Sequence, residues 1–269
     1  MKNNIYKREF KTRRRSVITW SVSAAAVALL YFSIFPSFAK DAALINKTME
    51  SFPPEFRAAF GMGDVDFSTI MGFFSFVYFF LQIMLAIQAA NYGFGLVSIE
   101  ERELTADFLM TKPVARVQIM NSKLLAALTS LGVTQVVVWV SVFVFVNAFK
   151  GDGTYDAGTL ALMLLGLSVF QLFFLTVGLV VSLLVKRVRS VTPYAMGLGF
   201  GMYVLGAFGD LGGATTFELI PPFMNFDPKF MIKNGRFDTP LVLISIVVII
   251  VSSAASYWLY LRRDISSVT

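Results

Sequence analysis

The sequence contains no cysteine and no histidine. The first absence removes disulfide frameworks and thiol nucleophiles, and the second removes histidine general bases and the commonest metal ligand. Charge is scarce as well: Asp, Glu, Lys and Arg make up 15% of the chain, against about 25% in soluble domains. No Gly-x-x-x-x-Gly-Lys-[Ser/Thr] loop occurs, so nucleotide is not bound in that way. The expectation is a chain with no catalytic residue, no metal site and no cofactor of its own.

What is present is apolar. Of the 269 residues 56% are hydrophobic and 28 are Phe, the composition of a multispan membrane protein. By the rule of about 20 apolar residues per crossing, spans fall within 16–39, 67–91, 124–149, 157–185, 191–209 and 240–261. Short turns and the lack of ten-residue alternation exclude a membrane barrel. A cleaved leader is also excluded, because the run 16–39 exceeds the roughly 7 to 15 residues of a signal-peptide core.

Six spans place both termini on one side. That face, with the loops 98–123 and 186–189, holds 16 Lys and Arg against 6 acids, and the other face holds 7 against 11. The positive-inside rule puts the first face in the cytoplasm. Sorted this way, the net charge of +6 reflects membrane topology and implies no nucleic-acid partner. Residues 1–15 carry seven of those cations among Ile5, Tyr6 and Phe10. They read as an interfacial amphipathic helix on the anionic cytoplasmic surface, or more simply as a positive-inside tag.

One long charged stretch interrupts the apolar pattern, at 98–112. Ser98 with Glu101 three residues on has the form of a capping box, and Glu100, Glu101 and Glu103 suit the positive end of a helix dipole. Lys112 and Pro113 close it. About 18 Å of charged helix is too short to cross a bilayer, so it lies beside the membrane or docks into a protein. On the opposite face, 210–238 is apolar yet broken by Pro221, Pro222 and Pro228. It reads as a partly re-entrant segment, with an ordinary structured loop as the alternative.

The span interiors, as bounded here, hold no ionisable residue, which weakens an ion-coupled secondary carrier. Their polar residues are Gln82, Gln88, Asn91, Thr134, Gln135 and Gln171, suited to interhelical hydrogen bonds or to lining a passage. Asp156 and Asp210 fall at span ends, which does not suit a buried proton-sharing protease pair. Gly197 and Gly201 have the Gly-x-x-x-Gly spacing of close helix packing, within the chain or between two copies. The crowd Phe73, Phe74, Phe76, Tyr78, Phe79 and Phe80 fits packing or lipid contact better than a substrate face.

The run Glu100-Glu-Arg-Glu-Leu-Thr-Ala-Asp-Phe-Leu-Met-Thr-Lys-Pro-Val-Ala-Arg116, with Lys123 seven residues later and Pro221-Pro-Phe-Met-Asn-Phe-Asp227 in the outer segment, resembles permease subunits of ABC-type exporters of the drug, peptide and polysaccharide export class. Leu104 departs from the Gly found there in many members. The resemblance implies an all-α integral membrane protein, a single permease domain over 1–269. It has six transmembrane helices, the interfacial helix 1–15, a cytoplasmic coupling helix at 98–112 and the outer segment 210–238. It further implies that Glu100, Glu101, Glu103, Leu104, Thr105, Phe108, Leu109, Met110 and Arg116 contact a separate ATP-binding subunit, in two copies, which carries ATP and Mg. A second permease, identical or paralogous, would complete the substrate path in the plasma membrane. A membrane anchor or sensor that recruits a cytoplasmic protein is the reading from another class.

Overall fold

The computed structural model describes residues 2–41, 44, 47–48, 51–53, 66–102, 115–185, 188, 190–212 and 221–262. Among them the regular structure is helical, without strands. In chain order the helices are α1 (Lys2–Lys40), α2 (Ile70–Arg102), α3 (Arg116–Phe149), α4 (Ala157–Leu184), α5 (Val191–Gly212), α6 (Pro222–Asn225), α7 (Pro228–Asn234) and α8 (Thr239–Arg262). Five of them, α1 to α4 and α8, contain stretches long and apolar enough to cross a membrane. The sixth expected span forms α5, which is not among those five.

The N-terminal basic segment is not a separate interfacial element. No Gly or Pro occurs before Pro36, so nothing stops the helix of the first span from continuing back to Lys2. At about 1.5 Å per residue α1 is about 58 Å long, well beyond the about 30 Å of a bilayer core. Its basic end therefore continues the span as one rod. Val17, Ser21, Ala24, Ala28, Phe32 and Phe35 form its buried stripe, spaced three and four apart, and its main partner is α3.

Helix α2 is the centre of the bundle. It is apolar on every side, as a helix enclosed by others must be, and 72% of its apolar window is buried against 11% for α8. The aromatics of its first half pack on α1: Phe73 on Phe35, Phe74 on Phe32, and Phe76 and Phe80 on Tyr31, with centroids 5.1–5.8 Å apart. Each such pair is worth about 0.5–1.5 kcal/mol beyond its buried area. Phe79 stacks on Tyr203 of α5. The aromatic crowd thus serves packing between helices.

Against α4, α2 packs backbone to backbone. A Cβ on Gly93 would lie 2.3 Å from the Leu175 carbonyl oxygen, and one on Gly178 would lie 3.1 Å from that of Ala90. Small residues let these two helices approach as larger ones could not. α4 itself starts at Asp156, whose carboxylate caps the Gly158 and Thr159 amides and accepts from the Thr159 hydroxyl.

The outer segment before α8 is a pair of short helices, each opened by proline at its first position (Pro222, Pro228). Asp227 caps the second, and Gly235, at φ +62°, ends it in the left-handed conformation. Phe226 and Met231 are buried. The Phe226 carbonyl accepts from Gln82 Nε2 at 3.1 Å, at a point about 18 Å along α2 from Ile70. Phe226 thus lies alongside α2 and against Phe170 of α4.

Candidate functional site

The charged stretch does not begin a new helix at Ser98, as its capping box suggested. Ser98 lies inside α2, buried, and its hydroxyl donates back to the Phe94 carbonyl at 2.6 Å. Helix α2 runs on past Gly93 and Gly95, with no proline to stop it, through Glu100 and Glu101 to Arg102. Glu103, Leu104, Thr105, Phe108, Leu109 and Met110 lie outside the described residues, as does Pro113. Arg116 opens α3 and is half-buried. The segment 103–115 therefore leaves the end of one membrane helix and enters the start of the next.

Six to seven residues inside those two ends, Lys123 of α3 is only 2% exposed, and its ammonium donates to the Leu96 carbonyl of α2 at 2.7 Å. Arg13 of α1 is 7% exposed. Its guanidinium pairs with Glu9 at 3.4 Å and lies over the Tyr92 ring, while Nη1 has no partner. Both are charged side chains buried inside helices that contain a span. Each sits just outside a span as drawn from hydropathy and inside the helix that forms, because α1 and α3 begin earlier than their apolar runs.

Deeper in the bundle a chain of amides links three helices, α3, α4 and α2, in one donor direction and returns to α3. Gln135 Nε2 donates to Gln171 Oε1 at 3.0 Å, Gln171 Nε2 to Gln88 Oε1 at 3.1 Å, and Gln88 Nε2 to Thr134 Oγ1 at 2.8 Å. Ser21 of α1 also donates to Thr134, and the Tyr92 hydroxyl donates to Ser16. All three glutamines are buried, and Gln135 Oε1, at the head of the chain, has no partner. Three of the five candidate polar residues are thus brought together. Gln82 serves the outer segment, and Asn91 takes no part. Ser16, Ser21 and Tyr92 were not anticipated; Tyr92, one turn after Gln88, was the available signal.

Among the described residues nothing packs on Gly197 or Gly201, since a Cβ on either would find no atom within 4 Å. Gly199 faces α2 instead, where an added Cβ would lie 3.1 Å from Ile87. Gly197 also borders an apolar cavity of about 380 Å³ with Phe94, Val181, Pro193, Tyr194 and Leu198. Among the described residues no group of His, Cys, Asp and Glu is placed to hold a metal ion.

A family model described as ABC-2 family transporter protein matches residues 3–265. Among curated proteins no relative matches the chain.

Proposed function

The chain belongs to the ABC-2 family of transporter proteins, and from that membership we propose that it is the membrane subunit of an ATP-driven exporter, coupled through 98–112 to the transporter's ATP-binding subunit. The chain is a permease component of an ABC transporter, and its family implies an ATP-binding partner. The observation that carries the reading is the family match, which extends over nearly the whole chain. The exit of the charged segment directly from two membrane helices supports it, because a push on such a segment reaches both.

In this reading ATP and Mg are bound by the partner, present in two copies, and a second permease faces the first. The outward-facing Gly197 and Gly201 suit that second copy, since none of the described residues covers them. Gln88, Gln135 and Gln171 hold helices together in the observed state, and only Gln135 Oε1 is left to meet a passing polar group.

The test is a double substitution, Phe108→Asp with Leu109→Asp, which removes the apolar contact while keeping segment length. The expected outcome is loss of the co-purifying ATPase, or of ATP hydrolysis coupled to the membrane subunit. A variant that retains both would overturn the assignment of 98–112.

A further inference from the structure

We propose that Lys123 is a positioning residue that ties the two helices flanking the docking segment, so that the ends of α2 and α3 move as one lever. The inference deepens the function proposed above and rests on it.

Lys123 lies about 10 Å from the start of α3. A lysine so near a helix end ordinarily snorkels to the membrane surface, because burying its ammonium costs several kcal/mol. Here the side chain is buried instead, and its ammonium donates to the Leu96 carbonyl of α2. That carbonyl lies in an unbroken stretch of α2, which continues to Arg102, so its second lone pair can take the lysine without opening the helix. Little else joins the two helices here, since α2 packs chiefly on α4 and α3 chiefly on α1. The next tie between α2 and α3 is the Gln88–Thr134 bond, about 12 Å farther along α2.

Without the lysine, a force on 103–115 would separate two helices that belong to different packing partners. With it, the ends are joined one to two turns above the segment, and the push is delivered to both. The bond to the Leu96 carbonyl is what ties α3 to α2 at this level.

The absence of native cysteine permits a direct reading. Spin labels on cysteines replacing Arg102 and Val117 report the distance between the two ends, in the purified chain and in its complex with the ATPase, with and without ATP and vanadate. The expected result is one narrow distance that ATP does not split. Lys123→Met, which fills the same space without a donor, loses the single distance, and Lys123→Arg restores it. If Lys123→Met does not fold, Lys123→Gln is read in its place. A single narrow distance in Lys123→Met, while the ATPase remains bound, overturns this inference and leaves the proposed function standing. If the unsubstituted chain retains no ATPase, the proposed function fails, and the lever role with it.

Discussion

Gln88 is the residue on which the polar chain depends, because both faces of its amide are used across helix boundaries. Replacing it with Leu strands the Gln171 amide and removes the donor to Thr134. A membrane hydrogen bond averages about 0.6 kcal/mol, whereas a buried group left unpaired costs about 1–3 kcal/mol. The second effect dominates, since Gln171 is only 1% exposed. Gln88→Leu is therefore expected to lose about 2 kcal/mol in detergent unfolding. Combined with Gln171→Leu the losses fall well short of additive, because the same bond is removed twice; fully additive losses would show the two amides to be independent. Asp156 gives a different signature. Hydrogen bonds from the Thr159 hydroxyl, then from the Thr159 and Gly158 amides, hold its carboxyl below the ordinary aspartate range. A group with a lowered folded pKa contributes stability above its unfolded pKa and loses it as pH falls through the folded value. Thermal melts from about pH 5 downward should therefore lose stability less steeply in Asp156→Asn than in the unsubstituted chain.

At the scale of elements, the contact between α2 and α4 and the open face of α5 make opposite predictions for the same substitution. Gly93→Ala places a Cβ 2.3 Å from the Leu175 oxygen, against backbone that cannot rotate away, so the helices must part. The expected cost is about 1–3 kcal/mol, read as a lowered melting temperature. Gly201→Ala meets nothing among the described residues and leaves that temperature unchanged or slightly raised. Bulkier Gly197→Leu with Gly201→Leu should lower the dimeric fraction in detergent if a second copy packs there; an unaltered dimer removes these glycines from the interface. The same elements show what hydropathy reveals and what it misses. Spans α3, α4 and α8 were legible to within a turn or so at their outer ends, because apolar composition sets the crossing. The ends of α2 and α3 that flank 103–115 were not, since helix continues past the apolar run regardless of charge, and in α2 also past Gly93 and Gly95. Ser98 shows the ambiguity: a serine followed by acids satisfies a capping box, yet the same hydroxyl can bond back to Phe94 within a longer helix. Lys123 was visible as a residue, but its burial depends on α2 lying beside it, which no local pattern states. The amide chain was half legible, as glutamines in spans, whereas their mutual bonds required the helix packing.

For the whole molecule, the unsettled quantity is whether α5 makes a sixth crossing. Its contacts run antiparallel to α2: Tyr194 stacks on Phe94, Gly199 faces Ile87, and Tyr203 stacks on Phe79. Between Phe94 and Phe79 that is about 22 Å of α2, most of the about 30 Å hydrocarbon core. Gly206, farther along, faces Pro221 of the 210–238 segment, which an added Cβ would meet at 3.4 Å. The other contacts sort the helix ends in the same way. Lys123 meets Leu96 and Tyr257 meets Asn121 at one end of the bundle, while Asn147 meets Tyr155 at the other. The first end collects Arg102, Arg116 and Arg262, which the positive-inside rule assigns to the cytoplasm. A crossing by α5 puts Ser190 with that end and Arg236 with the opposite one. Single cysteines at Asp152, Ser190 and Arg236, all exposed positions, test this with a membrane-impermeant thiol reagent on intact cells. Asp152→Cys and Arg236→Cys should label from outside, and Ser190→Cys only after the membrane is opened. Labelling of Ser190 and Arg236 from one side would reduce the count to five and place the outer segment on the cytoplasmic face. The proposed docking segment and the Pro221–Asp227 hairpin would then share a face, and a push on one could no longer open the other across the bilayer.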